Sequence, residues 1–476
     1  MHMKVRRGIV LLGFLVGLVM PGLAASPAVL APLQAALRQD AVLSRTQEAA
    51  ESVTRFYRGF SFQRVWTDSL GRRPVAGQAL QLLHRAPQFG LVAADYAAPA
   101  LQLLADSIQQ QTAPPRLSAQ CLALELRLST EIIRFVTHLH GGRLQPYSVQ
   151  PVGWNYTPAF DDVAAVQRGV RSAEDFEQVI LAVQPQSRSY VRLLWAWQRL
   201  LHTDSVRASQ LARTVGINLE RLRWEPATDS LYLAANIASQ TLQVVRGSAV
   251  VATHRIVVGK PETPTPELAS RVFYFQTAPE WRVPASIATG EMLPRLRRDP
   301  DYLADNNLRL YDRSGQRVDA RRINWRNVTP ANFAYQIRQA PSEDNALGNV
   351  VFRFANEHDV YLHDTPARQL FARPERLLSH GCIRLQRPTE LAAFLLRRDG
   401  GKKAADRVER MWDSIERNET EVFTLRYSLP ILVRYLTCEA DGAELRCLPD
   451  VYGRDAALTV ALYGGQGELL SLRTPQ

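Results

Sequence analysis

The spacing of apolar residues changes once along this chain, from three and four to two, at about Asp229, and that switch divides it into a helical half and a strand half. From about Leu33 to Tyr190 the period is mainly helical. Leu117 to His140 shows it best, until Gly141-Gly142 stops the pattern, and Gln150-Pro151 and Gln184-Pro185 break helices further on. After Asp229, Leu231 to Ile237, Thr241 to Val245 and Val250 to Val258 read as strands joined by polar or Gly-containing turns. The pattern turns irregular and partly helical from Ser286 to Pro341, notably over Gly290 to Leu303, before Val350 to Phe354 and Val360 to Leu362 resume the sheet. Such an insertion reads as a cover over a substrate, a passive surface excursion being the alternative. Helices over Thr389 to Arg398 and Asp406 to Glu416 and a closing hairpin complete the chain. The expected fold is α+β. A helical domain spans 25–217, and a mainly antiparallel β domain spans 218–400 with the insertion at about 286–345. A C-terminal helix and hairpin over 401–476 pack on one or the other.

Residues 1–24 have the form of a secretory signal peptide: Lys4, Arg6 and Arg7 precede an apolar run from Gly8 to Val19, and small residues surround Ala24-Ala25. The mature chain then starts near Ala25 and is exported. An uncleaved anchor is the alternative, whereas a polytopic membrane protein is excluded, because no later segment offers about 18 uninterrupted apolar residues. The formal charge of +11, three units of which lie in that leader, favours approach to an anionic polymer or membrane surface. The basic residues are scattered, without the aromatic-interleaved stripe of a nucleic-acid binder, and plain solubility explains most of the excess.

Four cysteines in an exported chain raise the question of disulfides. If Gly442 and Ala443 form a two-residue type II′ turn, Cys438 falls opposite Cys447 at a non-hydrogen-bonded pair, where the strand separation suits a structural bridge. Cys121 shares helical spacing with Leu124 and Leu128 and reads as a small core residue. His138 and His140 read as polar residues meeting a helix dipole.

Cys382 is left for chemistry. In a strand, Tyr361 and His363 project from one face while Val360 and Leu362 take the apolar other, so His363 is expected to face outward. A thiol of ordinary pKa, about 8.5, is mostly protonated at neutral pH and needs a base or positive field to act as a nucleophile. His363 can supply the base. Gly381, without a Cβ, lets the backbone approach a substrate carbonyl and aim nearby amides at a developing oxyanion. A metal reading of His358, His363, His380 and Cys382 fares poorly, since His358 and His363 are five apart and no acidic residue or second cysteine completes a ligand spacing.

Ser379-His380-Gly381-Cys382-Ile383-Arg384-Leu385, preceded by His363 with 15 residues between, resembles the signature of the L,D-transpeptidase (YkuD-type) family. Asn218-Leu219-Glu220-Arg221, Arg223-Trp224, Val257-Val258-Gly259-Lys260, Trp281-Arg282-Val283-Pro284 and Asn345-Ala346-Leu347-Gly348 resemble its large, scaffold-containing periplasmic (YcbB-like) branch. The resemblance implies Cys382 as nucleophile and His363 as proton acceptor and donor, oxyanion-hole amides from Gly381 and Cys382, and substrate contacts from Tyr361 and Arg384. His380 orients the motif loop or binds substrate. It further implies peptidoglycan stem peptides as substrates, 3→3 cross-linking through a thioester, no cofactor, acylation by carbapenem-type β-lactams, and cell-wall synthesis proteins as possible partners. An L,D-carboxypeptidase and a noncatalytic wall-binding scaffold are the alternatives. Two departures stand out. Only about 25 residues separate Tyr190-Val191-Arg192-Leu193 from Gly216-Ile217-Asn218, so the branch's peptidoglycan-binding module is expected to be missing. Gln339-Ala340-Pro341-Ser342 replaces a glycine-containing turn.

Overall fold

The computed structural model describes residues 33–35, 37, 47–68, 71–110, 119–144, 160–226, 228–442 and 444–464. The leader and the break at Gln150-Pro151 lie outside them. Helices α1 (Gln47–Arg58), α2 (Pro74–His84), α3 (Ala98–Gln109), α4 (Ala119–Gly141), α5 (Asp162–Arg171) and α6 (Phe176–Leu181) surround one apolar core. The longest, α4, buries Cys121, Leu124, Leu128, Ile132, Phe135 and Leu139, the stripe that its spacing dictates, and the chain leaves it through Gly142 at φ +88°. A buried carboxylate ties this helix to its neighbours. Glu125 accepts from the amides of Val65, Trp66 and Thr67 and from the hydroxyls of Tyr57 and Thr67.

The dipole reading of His138 does not hold. Burial, aided by the nearby Arg134, Arg143 and Arg223 charges, holds His138 down to about 3, so it is a neutral ring bonded to Tyr96. His140 stacks on Phe160, with ring centroids 3.9 Å apart.

Helices α7 (Arg188–Thr203) and α8 (Ser205–Arg223), capped by Ser187 and Asp204, form a hairpin between the two halves. Their Leu193, Trp197, Val215 and Leu219 pack against Leu436 and Cys438. The side chain of buried Asn218 both donates to the Thr437 hydroxyl and accepts from the Thr437 amide.

The strand half is one nine-stranded sheet. Its strands are β1 (Leu231–Asn236), β2 (Thr241–Arg246), β3 (Ala249–Gly259), β4 (Leu268–Thr277), then, after the insertion, β9 (Val350–Phe354), β10 (Leu362–His363), β11 (Leu377–Ser379), β12 (Ile383–Leu385) and β13 (Glu421–Arg434), in the order β11-β3-β12-β10-β9-β4-β13-β1-β2. Because β3 pairs with β2 along its first half and with β12 and β11 along its second, the sheet closes on itself. Helices α9 (Pro388–Asp399) and α10 (Ala404–Glu416) contribute Leu391, Leu395 and Met411 to its core.

The sheet is mainly antiparallel, as expected, with β10–β12, β11–β3 and β13–β1 as its parallel pairs. One expectation changes here: the sheet does not end near residue 400, since β13 is an interior strand between β4 and β1.

The insertion folds on its own small core of Val283, Leu293, Leu296, Leu310, Trp325 and Ile337. Around this core lies an antiparallel sheet of β5 (Trp281–Arg282), β6 (Leu308–Tyr311), β7 (Arg317–Val318) and β8 (Gln336–Gln339), ordered β5-β8-β6-β7. Asn345 joins its two ends by donating to the carbonyls of Pro279 and Ala340.

The C-terminal hairpin β14 (Cys438–Asp441) and β15 (Glu444–Cys447) has the register read from the sequence, Cys438 opposite Cys447, with Gly442 at φ +64° and the Leu448 amide bonded to the Thr437 carbonyl. The bridge itself is not formed. Both residues are thiols, with sulfurs 3.3 Å apart.

Candidate active site

Strand register assembles the site. β10 runs parallel to β12 with Leu362 opposite Ile383 and His363 opposite Arg384, and the Ile383 amide donates to the Tyr361 carbonyl at 3.1 Å. Alternation sends Leu362, Ile383 and Leu385 into the core and puts Tyr361, His363, Cys382 and Arg384 on the other face. On the far side of β10, β9 pairs antiparallel with Val351 opposite His363, which brings Arg353 opposite Tyr361. The Arg353 guanidinium lies 4.6 Å from the Tyr361 ring centroid, and the Tyr361 and His363 centroids are 5.6 Å apart. The half-buried Cys382 sulfur makes a weak 3.9 Å contact to the Asp359 carbonyl.

His363 is not open as its strand position suggests, because the residue is only 5% exposed, whereas Tyr361, Cys382 and Arg384 on the same face are half-buried. Burial first, then the Arg384 and Arg353 charges, pull its pKa down to about 3, with the Asp364 carbonyl acting in the opposite sense. Burial also raises the Cys382 thiol, opposed by the Tyr361 main chain and hydroxyl and by Arg353 and Arg384. Both shifts favour the uncharged forms, a thiol and a neutral imidazole. A neutral ring can still take the thiol proton as sulfur attacks. Its Nδ1 is buried without a hydrogen-bond partner among the described residues.

Neutral burial of two imidazoles has a stability consequence. His138 and His363 both stay unprotonated in the fold down to about pH 3 and bind protons once unfolded below their usual 6.5. Stability therefore falls as pH drops through that window, by roughly 2 kcal/mol per ring between pH 6.5 and 5. Denaturant titrations at pH 7 and pH 5 are expected to show the lower midpoint at pH 5, and His138→Gln to shrink the difference; equal midpoints would contradict it.

The motif loop is built differently from the expected oxyanion hole. Gly381 has φ +115°, a conformation that suits glycine, while its absent Cβ would meet nothing closer than the Pro264 carbonyl at 3.8 Å. Its amide, however, donates to the Ser379 hydroxyl, which in turn donates to the Cys382 carbonyl at 2.6 Å. That amide is already engaged. The Cys382 amide, for which no acceptor is found among the described residues, is the remaining backbone donor at the nucleophile.

Residues that sequence reasoning missed brace this loop. Thr265 donates to the Gly381 carbonyl at 2.8 Å and accepts from the Gly259 amide, Thr263 donates to the Ser379 carbonyl, and the Tyr452 hydroxyl donates to the Gly259 carbonyl. Gly259 must lack a side chain, since a Cβ would lie 2.1 Å from the Thr263 carbonyl. His380 points to the insertion and pairs with Glu291. Trp281, where the insertion begins, interacts with the Tyr361 hydroxyl. His358 is exposed and away from the sheet pairing, and no cluster of His, Cys, Asp or Glu that could hold a metal occurs among the described residues.

A thiol and a neutral imidazole on adjacent parallel strands, beside a free amide and under a cap, define a candidate cysteine acyl-transfer site. Residues 230–409 match the L,D-transpeptidase catalytic domain (YkuD) and residues 51–196 the scaffold domain, so this chain carries an L,D-transpeptidase catalytic domain preceded by the family's helical scaffold. The 33 or so residues between the two matches are filled by the end of α7, by α8 and by the turn into β1. The Haemophilus influenzae protein named "Putative L,D-transpeptidase" is 26% identical over 426 residues, 86% of this chain and 79% of that protein. Among solved structures, an L,D-transpeptidase from Mycobacterium smegmatis is 16% identical with a TM-score of 0.20, over 43% of this chain and 58% of that one. An Enterococcus faecium L,D-transpeptidase mutant is 14% identical with a TM-score of 0.21, over 44% and 50%. LdtMt1 in complex with imipenem is 16% identical with a TM-score of 0.20, over 43% and 59%. The matched region thus spans half to three fifths of the length of these solved relatives.

Proposed function

We propose that the protein is a peptidoglycan L,D-transpeptidase that forms 3→3 cross-links between stem peptides through a thioester on Cys382. The observation that carries this reading is the parallel β10–β12 register, which lays Cys382 beside Tyr361 and one step along the same face from His363. In the first half-reaction sulfur attacks the carbonyl of the diamino acid at position three of a tetrapeptide, and its proton passes to His363. The Cys382 amide stabilises the oxyanion, and protonated His363 hands the proton to the departing terminal residue. In the second, the side-chain amine of another stem attacks the thioester, losing its proton to His363, and sulfur leaves. Glu291 and Trp281 hold the cap against the motif loop and the site, where a cover excludes water and favours an amine acceptor.

Mass spectrometry of the protein with tetrapeptide muropeptides tests this. Thioester plus dimer supports transfer, thioester plus tripeptide makes it an L,D-carboxypeptidase, and the absence of an adduct makes it a noncatalytic scaffold. Carbapenem-type β-lactams are proposed to acylate the same sulfur, and the periplasm is the proposed site of action. There an oxidant would close Cys438–Cys447. Diamide treatment is expected to cost the intact protein two mass units, with the bridge mapping to those residues; a bridge involving Cys382 would contradict it.

A further inference from the structure

The reactive face carries more positive charge than acyl transfer uses. Arg353 on β9 and Arg384 on β12 both act on Cys382 and on His363. Several other buried or half-buried arginines have carboxylate partners, Arg434 with Glu225, Arg407 with Asp399 and Arg221 with Asp455, while buried Arg376 spends its donors on the carbonyls of Gln240, Ile256 and Arg373. Arg353 and Arg384 join no ion pair among the described residues. Burial disfavours the charge on Arg384, whose Nε is shut away from solvent without a hydrogen-bond partner. The Arg353 guanidinium lies over the Tyr361 ring, which favours a defined orientation of its fork. Asp364, which follows His363 in the chain, is occupied elsewhere: it accepts from the Asn349 amide at 2.9 Å, packs against Gly348, and is itself driven toward its neutral form by burial. A desolvated guanidinium without a counter-ion is costly, and a planar fork held in place matches one ligand chemistry best, a carboxylate.

We propose that Arg353 and Arg384 form a carboxylate-binding subsite beside Cys382 that holds an anionic group of the donor peptide while sulfur attacks. The proposal rests on Cys382 being the nucleophile. A stem peptide offers two carboxylates near the scissile bond, one on the departing terminal residue and one on the side chain of a third-position diamino acid that carries it.

Iodoacetate and iodoacetamide test the subsite apart from any acyl transfer. Each forms a carbon–sulfur bond and expels iodide, and only the first bears a carboxylate. On the full-length protein, with modification at Cys382 followed by peptide mapping, the iodoacetate-to-iodoacetamide rate ratio is expected to exceed that of a free thiol by about tenfold or more. Arg353→Gln and Arg384→Gln should return it toward the free-thiol value, and Arg353→Lys should keep part of it. A wild-type ratio equal to the free thiol's, or one unchanged in the folded variants, overturns the proposal. Should Arg384→Gln fail to fold, the Arg353→Gln and Arg353→Lys pair decides alone.

Tetrapeptide donors amidated at one carboxylate or the other then identify the source. Slower thioester formation with the terminal amide assigns the departing residue, slower formation with the side-chain amide assigns the diamino acid, and equal rates with both overturn the subsite. A raised alkylation ratio without a thioester from any donor would sink the transfer reading and keep the subsite.

Discussion

Cys382→Ala is expected to give a folded protein that forms no covalent adduct with a tetrapeptide donor or a carbapenem. The motif loop does not depend on the sulfur. It is held by Ser379 bonding the Cys382 carbonyl and by Thr265 bonding the Gly381 carbonyl, whereas the sulfur makes a 3.9 Å contact to the Asp359 carbonyl and interacts with Tyr361. Loss of the side chain should therefore change stability by less than about 1 kcal/mol, as measured by denaturant titration. An adduct that survives would move the nucleophile, and the exposed thiol of Cys447 would be the first place to look.

His363→Ala should slow thioester formation by roughly 10²- to 10⁴-fold, the range a positioned general base contributes. Some stability will be lost too, because a buried ring leaves a cavity, at about 1–3 kcal/mol. The two effects separate when rates are measured well below the melting transition. A rate within a few-fold of wild type in the folded variant would make His363 a packing residue. Its pKa near 3 fixes the sign of the pH profile. The ring is deprotonated and ready to accept a proton at every pH above that value, so the acid limb of acylation falls near 3 and not near 6.5. Because burial raises the thiol, the rate of simple alkylation should climb through the alkaline range without a plateau at neutral pH.

The period switch at Asp229 read the two halves correctly because each signal is local: a stripe on α4, alternation along β1 to β3. β13 escaped notice because a register irregularity between Thr424 and Leu429 interrupts its alternation, and from Leu429 onward it is buried on both faces and apolar without a period. The parallel pairings could not be seen either, since they join segments far apart in the chain. Within the site, alternation gave His363 the correct face but could not say that the residue is buried there. Spacing around Gly381 suggested a free amide, which the Ser379 hydroxyl in fact engages, a bond that depends on the loop's conformation. Arg353 left one readable trace, a lone cation inside the apolar run Val350-Val351-Phe352-Arg353-Phe354.

The most direct measurement is the intact mass of the wild-type protein after incubation with a purified tetrapeptide stem. The account predicts a gain equal to the donor less its terminal residue, discharged by hydroxylamine and located by fragmentation on Cys382. An unchanged mass, or the same gain on any other residue, would contradict it.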